Sequence, residues 1–171
     1  MINTKLVMQN LEKHEELLKE ARKQYPDMVL DGAVDNACWS KERIRVLWVL
    51  KEMKEFPKGN DLRNLLRQIA NDPEPDKVYT NWKLAYKSLI NASYELINNE
   101  RRVDSLYDKR VILNHIAVVS INKDISPRMS SFSELSEAAD KFREIILKQI
   151  NLLDPTIVIL ADAFHYLYRK E

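Results

Sequence analysis

The sequence predicts an α/β protein with a short parallel sheet between layers of helices. Three apolar runs, 44–50, 116–121 and 156–161, each turn polar at their carboxyl end, and the segments between them have apolar residues at helical spacing. Strands that are apolar on both faces are typical of parallel sheets covered by helices. Right-handed crossovers then place helices on both faces. We expect the first run to pair between the other two, which is the sheet order 2-1-3.

The residues before the first strand predict one helix, a turn and a loop. An amphipathic helix over 4–23 has one apolar stripe among many charges. That stripe contains Leu6, Leu11, Leu18 and Ala21. The pair Asp31-Gly32 is typical of a turn, and 35–40 is expected to be a loop leading into the strand.

Helices are also predicted between and after the strands. Leucines and an isoleucine at helical spacing indicate a helix over 61–70, which the Asp-Pro-Glu-Pro sequence of 72–75 ends. A longer helix is predicted over 82–97. Ser131-Phe-Ser-Glu134 matches a capping box and marks the start of the helix before the third strand. The last helix is expected over 163–170.

Composition limits the class of protein. With 171 residues the chain is expected to form one domain, and 27 basic against 26 acidic residues provide no global field to attract nucleic acid. The single cysteine, Cys38, fits a reducing, cytoplasmic location. No apolar run approaches the roughly 20 residues that span a membrane. Two glycines are too few for a phosphate-binding glycine loop.

Polar side chains at the strand ends form the predicted site, because ligands of open α/β sheets bind beyond the carboxyl ends of the strands. The candidates are Lys51, Glu52, Asp61, Arg63, Ser120, Asn122, Lys123 and Asp162. We expect Glu52, Asp61, Asn122 and Asp162 to lie around one crevice.

The first strand end and the segment after it each have two interpretations. Glu52 is a candidate acid–base group with Lys51 neutralising an anionic ligand, or the two charges pair only with each other or cap the strand end. Asp61 and Arg63 form a ligand clamp, or Asp61 simply begins a helix.

The second strand end has the same ambiguity. The amide of Asn122 is suited to reading a base edge and the ammonium of Lys123 to holding phosphate, or both are a polar strand terminus.

Histidine, cysteine and tryptophan add little to the predicted site. No His-x-x-x-His or paired-cysteine spacing occurs, so no metal and no cofactor is expected. His14 is predicted on a charged helix surface, and Cys38 as a small buried side chain. Trp39, on a polar segment, is the tryptophan expected to be most exposed.

Three segments resemble the uracil-DNA glycosylase superfamily, in particular a divergent bacterial branch in which a strand ending in Lys-Glu precedes an Asp-x-Arg segment. They are Val46-Leu-Trp-Val-Leu-Lys-Glu52, Ile116-Ala-Val-Val-Ser-Ile-Asn-Lys-Asp124 and Ile150-Asn-Leu-Leu-Asp-Pro-Thr-Ile-Val-Ile-Leu-Ala161. The resemblance covers about residues 30–162.

The resemblance implies a three-layer α/β/α sandwich that takes a flipped base into a pocket at the strand ends. In that superfamily, the loop after the first strand supplies a water-activating Asp or Asn, and the second strand end supplies an Asn that reads the base. Here Lys51-Glu52-Met53 stands at the first position without the Gly-Gln-Asp-Pro-Tyr type of sequence. Ser120 stands at the second, with Asn122 two residues on. The His-Pro-Ser loop after a fourth strand has no counterpart.

Two functions follow from the resemblance. One is hydrolysis of the N-glycosidic bond of a damaged base in DNA, with Glu52 or Asp61 orienting water and with Lys51 and Arg63 holding phosphate. The alternative is a non-catalytic nucleotide- or protein-binding domain of the same fold. A Glu52 that pairs with Lys51 or Arg63 favours binding, and an unopposed Glu52 favours catalysis.

A DNA-binding face and a covered sheet edge are further expectations. The DNA-binding face is expected to gather Lys51, Lys54, Lys58, Arg63, Lys123 and Arg128. Superfamily members continue into a fourth strand after the third, and here an apolar edge strand is left without it. We expect a second copy of the chain or the N-terminal helix to cover the edge at 157–160.

Overall fold

The computed structural model describes residues 3–54, 61–73, 82–98, 109–126 and 130–167, and it confirms the predicted α/β class. The elements are α1 (Thr4–Gln24), β1 (Gly32–Ala33), α2 (Asn36–Trp39), β2 (Val46–Lys54), α3 (Leu62–Asn71), α4 (Trp82–Asn98), a 3-10 helix (Arg110–His115), β3 (Ala117–Ser126), α5 (Phe132–Leu153), β4 (Ile157–Ala161) and α6 (Phe164–Leu167). None of the helices in these ranges is long and apolar enough to cross a membrane.

The sheet has four strands in the order β1-β3-β2-β4. Strand β2 is parallel to both of its neighbours, with Leu47 opposite Ala117 of β3 and Val158 of β4. Strand β1 is antiparallel to β3, with Gly32 opposite Val118. The three-stranded sheet predicted from the sequence therefore did not include β1. The Asp31-Gly32 pair, predicted as a turn, leads into this strand instead, because β3 supplies the pairing.

Strands β2 and β3 extend beyond their apolar runs. The polar residues predicted to follow the strands, among them Glu52 and Asn122, lie inside them, and these two are direct neighbours across the ladder. The register shifts between Glu52 and Lys54. The carboxyl edge of the sheet is therefore made of polar strand residues.

Helices cover both faces of the sheet. Successive side chains of β2 point to opposite faces, so alternate residues of this strand pack against different helices. Leu47 and Val49 pack with residues of α1, α5 and α6. Val46 and Trp48 pack with residues of α3, α4 and the 3-10 helix. The two apolar clusters leave the sheet between two helical layers.

Helix α1 lies against α5 and against β1, where His14 meets Gly32. The backbone of Gly32 has φ +131°, and a Cβ added there would lie 2.4 Å from Cε1 of His14. Only glycine combines this backbone conformation with the approach of the ring. His14 is fully buried, so its predicted position on a charged helix surface is wrong.

The segment predicted as a loop over 35–40 contains helix α2 instead. Asp35 is its N-cap and accepts a hydrogen bond from the backbone of Cys38 at 2.9 Å. Trp39 is fully buried and donates through Nε1 to the carbonyl oxygen of Leu153 at 3.2 Å, so its predicted exposure is wrong. Cys38 is partly buried. Burial, together with the charge of Asp35, raises the pKa of its thiol.

Side-chain caps mark the start of two helices, as the sequence indicates. The predicted capping box is confirmed: Ser131 Oγ accepts from the backbone of Glu134, whose carboxylate accepts from the backbone of Ser131. Asp61 is the N-cap of α3.

Strand β4 is the outer strand of the described sheet. Helix α1 packs chiefly against α5, and Val158 remains 42% exposed. The alternative in which α1 covers this edge is therefore wrong.

Candidate functional site

A carboxylate, an amide and a hydroxyl meet at the carboxyl edge of β2 and β3. Glu52 lies beside Asn122 in the ladder, and Ser130, two residues before α5, closes over both. The Ser130 backbone N–H donates to Oε1 of Glu52 at 3.1 Å, and its hydroxyl contacts Oε2 at 2.5 Å. Nδ2 of Asn122 donates to Oγ of Ser130 at 3.3 Å. These three residues are the edge triad.

Glu52 has no described cationic partner. Lys51, its neighbour in the chain, points to the other face of β2 and forms an ion pair with Asp162 at 3.4 Å. Side-chain exposure is 38% for Lys51 and 86% for Asp162, so water screens this pair strongly. Of the predicted site cations with described side chains, Lys51 is the one that solvent reaches readily.

Asp61 and Arg63 form a separate cluster with Glu15 of α1. Arg63 donates to Asp61 through Nε at 2.8 Å and through Nη2 at 2.7 Å, and through Nη1 to Glu15. Burial lowers the pKa of Arg63, but the hydrogen bonds and charges of both carboxylates raise it above its usual value. Burial raises the pKa of Glu15, whereas His14 and the paired Arg63 lower it to about 2. Asp61 and Arg63, predicted to clamp a ligand, instead take part in a contact that connects α3 with α1.

Lys123 is fully buried against Asp31, which is also fully buried. Its ammonium lies 2.8 Å from both carboxylate oxygens. Asp31 also accepts from the backbone of Ser120 at 2.7 Å and from Gln149 at 2.8 Å. Gln149 lies 3.1 Å from Nε2 of His14. Burial lowers the pKa of Lys123, although Asp31 opposes the shift.

Two predicted substrate-binding residues are thus inaccessible in this conformation. Lys123 and Ser120 are both 0% exposed, and the Ser120 hydroxyl donates to the carbonyl oxygen of Asn122 at 2.8 Å. Asn122 is 6% exposed, and its amide oxygen accepts from the backbone of Asp124 at 3.0 Å. Arg63, with a side chain 10% exposed, is likewise occupied by protein partners.

The structure brings some predicted residues together and separates others. Glu52 lies beside Asn122. Asp162 lies at the same edge, but it forms an ion pair with Lys51 instead. Asp61 reaches this edge through its bridge to Leu30, whose neighbour Val29 bonds to β3. The four expected crevice residues therefore belong to three separate groups of paired polar side chains rather than one.

Several partners were not predicted, and parts of the proposed basic face are not described. Ser130, Asp31, Glu15 and Gln149 contact site candidates that are distant in sequence, and no local motif marks them. The side chain of Lys54 and residues Lys58 and Arg128 lie outside the described residues. Within the described ranges no group of His, Cys, Asp or Glu could hold a metal ion.

No protein-family model matches this sequence, and no curated protein or solved structure matches it either. The inference of function therefore starts from the geometry of the edge triad.

Proposed function

We propose that the edge triad is a catalytic site that hydrolyses an N-glycosidic bond of a nucleotide in DNA, with Glu52 as the general base. The observation that carries the proposal is the state of this carboxylate. Ser130 holds both oxygens, and no described cation neutralises them. An unopposed, partly buried carboxylate at a carboxyl strand edge is suited to orienting and deprotonating water.

The chemistry requires few protein groups. As the bond between C1′ and the base nitrogen breaks, the base leaves with the electron pair and positive charge develops on the sugar. A carboxylate nearby stabilises that charge electrostatically. Water adds to C1′ and gives a proton to Glu52. The departed base anion takes up a proton and Glu52 releases its own, so the products are the free base and an abasic sugar.

The described cations support a modest phosphate contact. Lys51 is partly exposed, and its screened pair with Asp162 can exchange for a phosphate at little cost. Arg63 is paired with the partly buried Asp61, and Lys123 with the fully buried Asp31, so neither cation takes part in the proposal. Asp61 is also excluded as the base, because Arg63 occupies both of its oxygens.

The proposal also includes the particular type of α/β fold. Helices on both faces and a polar carboxyl edge support a three-layer α/β/α sandwich of uracil-DNA glycosylase type. A DNA or nucleotide partner and a cytoplasmic location complete it.

One observation favours the alternative, a nucleotide- or protein-binding domain without turnover. The members of the edge triad satisfy one another's hydrogen bonds without any ligand. Polar side chains that satisfy one another's hydrogen bonds also occur in clusters that only stabilise a fold.

The test is incubation of the chain with oligonucleotides that contain uracil or hypoxanthine, followed by alkaline cleavage at abasic sites. We expect strand cleavage, and we expect Glu52→Gln to reduce the rate roughly 100-fold or more. The matched control is Asp124→Asn, two residues beyond Asn122, where an exposed carboxylate pairs with Lys141. Binding of these oligonucleotides without cleavage would favour the alternative.

A further inference from the structure

We propose that Ser130 is a positioning residue that acts through Glu52, and that Asn122 orients the Ser130 hydroxyl rather than reading a base. The inference rests on the proposed function. It assigns a role to a residue that no sequence motif marks, and it changes the role expected for Asn122.

The direction of the hydrogen bonds follows from a backbone group. The Asp124 N–H can only donate, so the atom of Asn122 that faces it is the amide oxygen, at 3.0 Å. The amide nitrogen of Asn122 then faces Oγ of Ser130, which must accept. The single hydroxyl proton of Ser130 is therefore free to donate to Glu52 at 2.5 Å.

Ser130 thus fixes the carboxylate at two points. Its backbone N–H and its hydroxyl each donate to a different oxygen of Glu52, which restricts rotation of the carboxylate plane. An ionised carboxylate has about four acceptor positions, so roughly two remain for water. A general base must be held within hydrogen-bond reach of the proton that it accepts, and this arrangement holds it.

The next residue provides a matched control. Ser131 is also a serine at the start of α5, but its hydroxyl accepts from Glu134 in the capping box and has no bond to Glu52. Removing the Ser131 hydroxyl should weaken the helix, whereas removing the Ser130 hydroxyl should loosen the carboxylate.

The experiment compares Ser130→Ala, Ser130→Thr and Ser131→Ala in the full chain, by kcat and KM on the cleaved oligonucleotide and by Tm. We expect Ser130→Ala to lower kcat about tenfold with KM unchanged, because one charge-assisted hydrogen bond is lost. Ser130→Thr keeps the hydroxyl and should restore most of kcat. Ser131→Ala should lower Tm by roughly 3 °C and leave kcat of the folded protein unchanged.

A spectroscopic readout tests the contact independently of turnover. The amide proton resonance of Ser130 should move in Glu52→Gln, because a charged acceptor becomes neutral. An unmoved resonance overturns the proposal.

The kinetic outcomes separate the two claims. Full kcat in Ser130→Ala, with Glu52→Gln inactive, overturns the role of Ser130 and leaves the proposed function standing. A wild-type chain that cleaves none of the oligonucleotides overturns the proposed function and the positioning role together.

Discussion

At the scale of residues, the most unusual feature is a fully buried ion pair. Lys123 and Asp31 are both 0% exposed and are bound to each other through both carboxylate oxygens. Removing two charges from water is costly, and their attraction compensates only when other hydrogen bonds complete the shell. Ser120 and Gln149 supply those bonds to Asp31.

We predict that Asp31→Asn destabilises the protein by about 3–5 kcal/mol, because it leaves the buried ammonium without its counter-charge. The measurement is the free energy of unfolding in denaturant. The double variant Asp31→Leu with Lys123→Met, which replaces the pair by apolar groups, should recover most of the loss. The exposed Asp27→Asn is the control and should change stability little. A loss below about 1 kcal/mol in Asp31→Asn would contradict the prediction.

Residue-level prediction from the sequence succeeded where contacts follow strand pairing and failed where they do not. Glu52 and Asn122 could be placed together because parallel strands align their carboxyl ends. The contact of Ser130 with Glu52 crosses 78 positions, and that of Lys123 with Asp31 crosses 92. Such separations leave no periodic pattern in the sequence.

At the scale of elements, a charged contact ties α1 to α3. Glu15 on α1 accepts from Arg63, which also holds Asp61, the N-cap of α3. The pair connects two helices that pack on opposite faces of the sheet. The contribution of this contact to the free energy of unfolding should depend on pH.

We predict that stability falls as the pH is lowered from about 4.5 to about 2, in part because of Glu15. Its pKa in the folded protein is about 2, below the usual 4.5. The unfolded chain therefore binds more protons across this interval, and acid favours it. The contribution should be at most about 1 kcal/mol, since the Glu15 side chain is 42% exposed and water screens the pair.

The measurement is the free energy of unfolding at several pH values, compared between wild type and Glu15→Gln. The variant should be less stable at pH 5 and should show a shallower decline towards pH 2. The exposed Glu16→Gln is a suitable control. Parallel curves for wild type and Glu15→Gln would contradict the prediction.

Elements with a long repeating pattern were predictable, and short ones were not. Helix α1 was expected over 4–23 and spans Thr4–Gln24, and the capping box before α5 was recognised from four residues. Strand β1 has two residues and no apolar run, so its pairing depends on β3 alone. Helix α2 is a single turn held by Asp35 and by burial of Trp39.

At the scale of the whole molecule, the outer edge of β4 stays a candidate for association. Strand β4 pairs with β2 on one side and is the last strand of the described sheet. A long apolar edge with unpaired backbone groups favours pairing with another chain. We retain the expectation that a second copy of the protein covers it.

We predict concentration-dependent self-association that Val158→Lys abolishes, because a charged side chain on an edge strand opposes strand addition. Sedimentation velocity over a range of protein concentrations measures it. The control is Leu147→Lys on α5, where an apolar side chain of similar exposure is replaced away from the edge. Rapid hydrogen exchange of the outward amides of 157–160 at high concentration would show an open edge and contradict the prediction.

The burial of β2 on both faces has a consequence for the position of Glu52. An apolar strand of this kind would accept a slip of one residue with little loss in the core, so hydrophobicity alone does not define its alignment. The polar end does: a slip would turn Lys51 towards Ser130 and Glu52 towards Asp162. Two attractive contacts would become a cation facing hydrogen-bond donors and two carboxylates facing each other. The residues proposed for chemistry therefore also select the alignment of the central strand.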